Sequence, residues 1–232
     1  DRELAAKSLN LVTTTGETQN AEFMLQAFDG TRFFGEINGA ALRHENGPIE
    51  GVVTIIRDIT DSREAEEELR YRFEFEKVIT TLSSRFITLA PTEIDANIIY
   101  ALQTIGEFTG ADRAYVFQIS AGQQTMDNTH EWCADGIVPQ IDKLQGLKLS
   151  DFSYIMDRIL KRKTFFVPSV ADLPNEAAVE KREFQAEGIQ SLVCVPMIRQ
   201  NEVVGFVGFD SVRRRKIWSQ DSRTLLTIVG EI

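Results

Sequence analysis

A run of β-branched residues, Val52-Val53-Thr54-Ile55-Ile56, passes through Arg57-Asp58-Ile59-Thr60 straight into a charged helical pattern that opens Asp61-Ser62-Arg63-Glu64. No Gly or Pro separates the two, so a strand is joined to a helix without a flexible loop. The helix must begin sharply. Thr60, Asp61 and Ser62 each offer a side-chain acceptor to the free N–H groups of a first turn, and Asp61 with Glu64 has the spacing of a capping box. A loop would dissipate a movement of the sheet, whereas a capped helix passes it on. Asp58, Thr60 and Asp61 are therefore the candidate hinge of a transmitting joint.

The remaining sequence limits what such a joint can serve. With 232 residues, 43 % of them hydrophobic, the chain can bury at least one sizeable core in one or two domains. A net charge of −10 argues against a nucleic-acid surface, which needs a basic face. The short basic runs Lys161-Arg162-Lys163 and Arg213-Arg214-Arg215-Lys216 read as a solvated helix end and a solvated turn. Two cysteines, Cys133 and Cys194, make neither a disulfide framework nor a metal cluster, which fits a reducing, cytoplasmic compartment. No apolar run approaches the roughly 20 residues of a membrane helix, and no signal peptide is evident. A chain that opens at Asp1 and stops at Ile232 within a helical pattern reads as a piece of a longer protein, with an effector fused beyond residue 232.

Periodicity then orders the chain. A short helical pattern over 3–12 precedes three strand candidates: 21–28, 32–42 and 50–57. The first two are joined through Asp29-Gly30, a tight-hairpin signal, and the third follows Asn46-Gly47-Pro48. Three strands are few for an independent sheet, so an unpaired edge is expected. The connector helix runs from about Asp61 to Leu89, and its second half carries a seam of Phe75, Ile79, Leu82, Phe86 and Leu89 at coiled-coil spacing. The seam predicts dimeric packing; the alternative is that this face packs on the following domain. The register breaks near Arg72, where Ala65, Leu69 and Phe73 form a shifted stripe. From Pro91 the order is a helix capped by Thr92, a hairpin (113–119 and 126–133), a helix over 151–163 and a short strand over 164–167. A helix capped by Asn175, a second hairpin (190–198 and 203–212) and a helix after Ser219 complete it. This order implies an α+β fold with an antiparallel sheet and flanking helices.

Two family resemblances rest on these residues. Phe28-Asp29-Gly30-Thr31-Arg32, Glu45-Asn46-Gly47 and Gly51-Val52-Val53 leading to Arg57-Asp58-Ile59-Thr60 resemble the C-terminal half of a PAS domain, its PAC motif. Ala111 to Phe117, Asn128 to Cys133, Ser191 to Pro196 and Gly205 to Asp210 resemble a bacterial GAF domain of a multi-sensor signalling protein. The resemblance implies a partial PAS domain over 1–60, a signalling helix over 61–90 and a GAF domain over 91–232. It also implies a cytoplasmic sensor fused to a histidine kinase first, a cyclic-dinucleotide synthase second, while the seam on the connector supplies the expected homodimer.

Catalysis needs a convergent nucleophile, base and orienting group, or a metal cluster, and the sequence offers neither, so no enzyme is expected within this chain. Of its two histidines, His44 sits in a polar turn and His130 lies on a strand on the parity of Asn128 and Trp132. Both cysteines are flanked by apolar residues and read as inert buried thiols. The GAF domains of some photoreceptors hold a bilin through a Cys-His pair on the helix before the central hairpin. The corresponding stretch here, 176–184, contains neither residue, so no covalent bilin and no other cofactor is expected. A noncovalent small molecule remains open: Tyr115, Phe117, Trp132, Phe166 and Phe209 form a candidate aromatic lining with Glu131 and Asp210 at its rim. The same aromatics also serve as plain core. Arg113 is read as a sheet-end ion pair. The leading reading is a sensory and dimerising fragment; the alternative is a ligand-free GAF domain acting as a dimerising spacer.

Overall fold

The computed structural model describes residues 19–43, 47–87, 90–218 and positions 224, 226 and 227. Two compact units divide the chain, residues 1–74 and 75–232. The expected helix over 3–12, His44, Leu89 and most of the expected helix after Ser219 lie outside the described residues.

In the first unit β1 (Gln19–Gln26), β2 (Arg32–Arg43) and β3 (Ile49–Asp58) form an antiparallel sheet in the order β1-β2-β3. The turn between β1 and β2 is wider than a two-residue hairpin. Gly30 takes the left-handed φ of 91°, Ala27 N–H donates to Thr31 O, and Asp29 Oδ1 accepts the Thr31 N–H. Phe23 is buried at 7 % exposure, whereas Ile55 and Ile56 of β3 are exposed.

Helix α1 (Thr60–Ile87) starts one residue earlier than expected, and its start is held differently. The Asp58 carboxylate accepts the Thr60 N–H (2.9 Å) and the Thr60 hydroxyl (2.7 Å), and Thr60 Oγ1 accepts the Phe34 N–H from the central strand (2.9 Å). Ile59 donates to Phe34 O and accepts from Arg63 N–H, the first helical bond. Asp61 thus lies within the first turn, where its charge complements the positive helix end, rather than at the cap. Arg63 adds an ion pair to Glu22 of β1 at 2.7 Å and covers the Phe34 ring. Three strands therefore grip the first turn. Further along, Glu68 and Arg72 pair at 2.6 Å in solvent, and Leu69 and Phe73 of the shifted stripe are exposed.

The second unit contains α2 (Ile94–Thr109), β4 (Arg113–Ile119), β5 (Thr125–Cys133), β6 (Leu147–Lys148), α3 (Ser153–Ile159), β7 (Phe165–Val167), α4 (Ala178–Ala186), β8 (Ser191–Arg199) and β9 (Glu202–Ser211). Its six-stranded antiparallel sheet runs β6-β5-β4-β9-β8-β7. The β8–β9 hairpin turns through Gln200 and Asn201, both with positive φ. Thr92 and Asn175 do not cap: each lies in a 3-10 turn that leads into the helix. The α3 entrance is capped instead by a distant carboxylate, Glu180 of α4, whose Oε1 accepts Tyr154 and Ile155 N–H groups.

The sheet separates two apolar cores. The inner core lies under α3 and α4 around Phe117, Ile155, Phe165, Phe184, Leu192 and Phe206. The outer core lies under α2 and the second half of α1. Here the seam meets its partner. Leu82 is buried at 1 % exposure among Leu102, Ile105, Val207 and Phe209, and Phe75, Ile79 and Phe86 pack against the same cluster. The heptad face is therefore consumed within its own unit, because the outer sheet face offers it a large apolar surface. Coiled-coil pairing through these four residues is not what this conformation presents.

Candidate functional site

Strand pairing decides which candidate residues meet. Arg113, Tyr115 and Phe117 alternate onto the inner face of β4, and their partners on β9 are Asp210, Gly208 and Phe206. Gly208 is required there, since a Cβ at that position would stand 2.1 Å from the Tyr115 ring. Glu131 pairs with Tyr115 and shares its face. Of the expected pocket, Tyr115, Phe117, Glu131 and Asp210 are thus brought together.

Trp132, Phe166 and Phe209 are not. Trp132 and Phe209 both pair with Ala114, and Phe166 pairs with Val193, the partner of Phe209. All three therefore join the outer core, where Gly106 of α2 leaves room for the Trp132 ring. A β-bulge at Thr129 also breaks the expected parity of β5. Asn128, opposite Phe117, turns inward and is buried, whereas His130, opposite Val116, stays on the outer face with Trp132.

The acidic candidates do not form a rim. Asp210 is fully buried and takes two hydrogen bonds from Arg113, Nε at 3.1 Å and Nη2 at 2.7 Å, while Tyr115 donates its hydroxyl to Asp210 Oδ1 at 3.0 Å. Arg113 Nη2 also contacts Glu187 Oε2 at 2.7 Å, and Glu131 Oε1 stands 3.9 Å from Nε. The other Glu131 oxygen accepts the N–H groups of Gln140 and Ile141. One buried guanidinium thus faces three carboxylates, so Arg113 is the expected ion pair in an enlarged form. Burial pushes Glu187 up to about 7 against the pull of Arg113, with Asp210 adding repulsion. Burial also holds the Tyr115 phenol protonated and pushes the Cys133 thiol up to about 11, which suits an inert thiol. Sequence reasoning missed Glu187, because an acid at the end of a charged helix carries no mark of a buried partner.

Between this cluster and α4 the inner face holds a cavity of about 40 Å³, bordered by Tyr115, Phe117, Glu187, Cys194 and Phe206. Phe117 stacks on Phe206 at 4.9 Å, and Tyr115 meets Phe117 edge-on at 5.6 Å, so the aromatics fill their own space. A larger cavity of about 330 Å³ opens on the outer face, between α1, α2 and the sheet. Among the described residues no group of three or more His, Cys, Asp or Glu is placed to hold a metal, and no helix is long and apolar enough to cross a membrane.

A six-stranded antiparallel sheet with an apolar core and helices on each face defines an α+β domain. The chain belongs to the GAF domain family, whose model it matches over residues 99–232. It is similar to the methanogenesis regulatory histidine kinase FilI of Methanothrix harundinacea (strain 6Ac), with 34 % identity over 193 residues. That alignment covers 82 % of this chain and 21 % of the relative, so the chain spans about a fifth of that kinase. Among solved structures, the chromophore-binding domain of Stigmatella aurantiaca bacteriophytochrome in the Pr state has a TM-score of 0.55 at 16 % identity, covering 99 % of this chain and 76 % of the other. A phycocyanobilin-bound GAF domain from a cyanobacterial phytochrome has a TM-score of 0.56 at 18 % identity, covering 67 % of this chain and 89 % of the other. At such identities the likeness is one of fold.

Proposed function

We propose that this chain is the sensory part of a cytoplasmic signal-transduction protein and relays a bound input through α1 to an effector outside residues 1–232. A histidine kinase is the effector we favour, with a cyclic-dinucleotide synthase second. The observation that carries this reading is the 34 % identity to a regulatory histidine kinase of which the chain accounts for only 21 %. The first unit is proposed as a partial PAS domain, on its PAC-like residues and the phytochrome-like fold. The gripped first turn of α1 suits it to carry rotation or register shift. Two copies are proposed to pair along the first half of α1, where Leu69 and Phe73 are 70 % and 64 % exposed. No covalent bilin is proposed, since α4 contains neither Cys nor His.

A second reading is favoured by one observation: the inner cavity of about 40 Å³ is too small for a metabolite, as a spacer that binds nothing would have it. Joining the chain to a histidine-kinase core and following autophosphorylation separates the two. The sensory reading expects the Thr60→Ala and Leu82→Ala variants to change kinase output; output indifferent to both supports the spacer.

A further inference from the structure

Of the two cavities beside the six-stranded sheet, the outer-face one has room for a ligand, at about 330 Å³ against about 40 Å³ inside, which places it at the lower end of small-molecule sites. Leu82 and Phe86 of α1 form one wall, Ala101 and Ile105 of α2 a second, and Val116 and Met197 the floor. Ala101 contributes only a methyl group between helix and sheet, so this layer stays unfilled.

Three polar side chains, Gln118, Thr129 and His130, stand at one end. Gln118 is the polar end of an otherwise apolar outer row on β4, Ala114-Val116-Gln118, and its amide makes no hydrogen bond among the described residues. The bulge at Thr129 brings two polar residues in succession to this end. Thr129 Oγ1 lies 2.9 Å from His130 Nδ1 and 3.3 Å from Val116 O, and His130 Nε2 lies 3.2 Å from the exposed Asp95 carboxylate. The free amide offers both a donor and an acceptor, whereas the Asp95 carboxylate beside His130 repels an anionic head. An apolar body with one neutral polar group fits both facts.

We propose that this cavity, on the sheet face opposite Tyr115 and Asp210, binds a neutral amphiphile: an aliphatic or aromatic body against Leu82, Phe86 and Ile105, and one hydroxyl, carbonyl or amide on Gln118. The site has α1 itself as a wall, so occupancy bears directly on the helix that leads away from the first sheet. Binding rests on the cavity alone; its role as the sensed input rests on the sensory reading proposed for the chain.

The test is titration of the whole chain with 1-decanol, and separately with decanoate, monitored by calorimetry and by methyl NMR. Saturable one-to-one binding of decanol is expected, with shifts at the Leu82, Ile98 and Ile105 methyls and none at Leu144, Ile155 and Ile189 of the inner core. Ala101→Phe, which fills the cavity, should abolish binding. Gln118→Ala, at an exposed position that folding does not need, should weaken decanol about fivefold, as loss of one hydrogen bond does. Absence of saturable binding, or shifts confined to the inner methyls, overturns the site. Decanoate binding as tightly as decanol overturns the neutral head. Decanol bound at the outer methyls with kinase output unchanged leaves the site standing and counts against the sensory reading instead.

Discussion

Replacing Glu187 with Gln should stabilise the second unit at high pH and leave it unchanged at low pH. Two effects compete at this carboxyl. Arg113 Nη2 at 2.7 Å favours the charged form, but the same nitrogen serves Asp210 at 2.7 Å, and burial penalises a further charge. Burial wins: the carboxyl moves from its ordinary 4.5 to about 7 in the fold. A shift of that size amounts to roughly 3 kcal/mol of preference for the protonated form. Because the folded value lies above the unfolded one, this stability is complete below pH 4.5 and is lost as pH rises through about 7. Gln stands in for the protonated acid at every pH. Glu187→Gln should therefore match the parent near pH 4.5 and exceed it above pH 7 by a margin of that order, roughly 3 kcal/mol at most. Urea unfolding monitored by tryptophan fluorescence reads this unit selectively, since both tryptophans of the chain, Trp132 and Trp218, lie within it. A variant less stable than the parent above pH 7 would refute the reasoning, for it would mean that attraction to Arg113 exceeds the cost of burial.

Other perturbations probe the remaining parts. Arg113→Met leaves Asp210, Glu131 and Glu187 without their cation and should cost about 3–5 kcal/mol in the same unfolding assay; a neutral outcome would mean that the carboxyls simply take up protons. Leu82→Ala should cost about 2–5 kcal/mol by opening the outer core, with a midpoint independent of protein concentration. A midpoint that falls on dilution in the parent but not in the variant would restore the seam as a dimer contact. Asp58→Ala should speed amide exchange at Thr60 and in the first turn of α1 without changing the second unit; unchanged exchange would mean that Phe34 and Ile59 hold the turn alone.

How far the fold was legible depends on which forces act locally. Short apolar runs over 113–119 and 190–198, bounded by turn residues, marked strands of the second unit, and the β-branched run into Asp58-Ile59-Thr60 marked the strand-to-helix joint. The two-residue strand Leu147–Lys148 was not legible, being too short to show a period. Facing is a matter of register, and register is set across strands. Trp132, Phe166 and Phe209 could not be assigned to a side until their partners Ala114 and Val193 were known. The bulge at Thr129 then reversed the parity of Asn128. The seam on α1 was legible as apolar, but its spacing does not say whether a second helix or the chain's own sheet covers it. The Arg113 cluster was half legible. Arg113 read as an ion pair, while Glu187 and the burial of Asp210 depend on contacts 74 and 97 residues away.

A relay through α1 depends on the rotational phase of the helix, which insertions change in known steps. Residues inserted between Arg72 and Phe75, where the register already breaks, rotate the downstream half of the helix by about 100° each. In the protein joined to its kinase core, autophosphorylation should be disturbed by insertions of roughly two residues and recover near seven, about two full turns. Output that is unchanged by every insertion, or that declines steadily with length and never recovers, would contradict the relay.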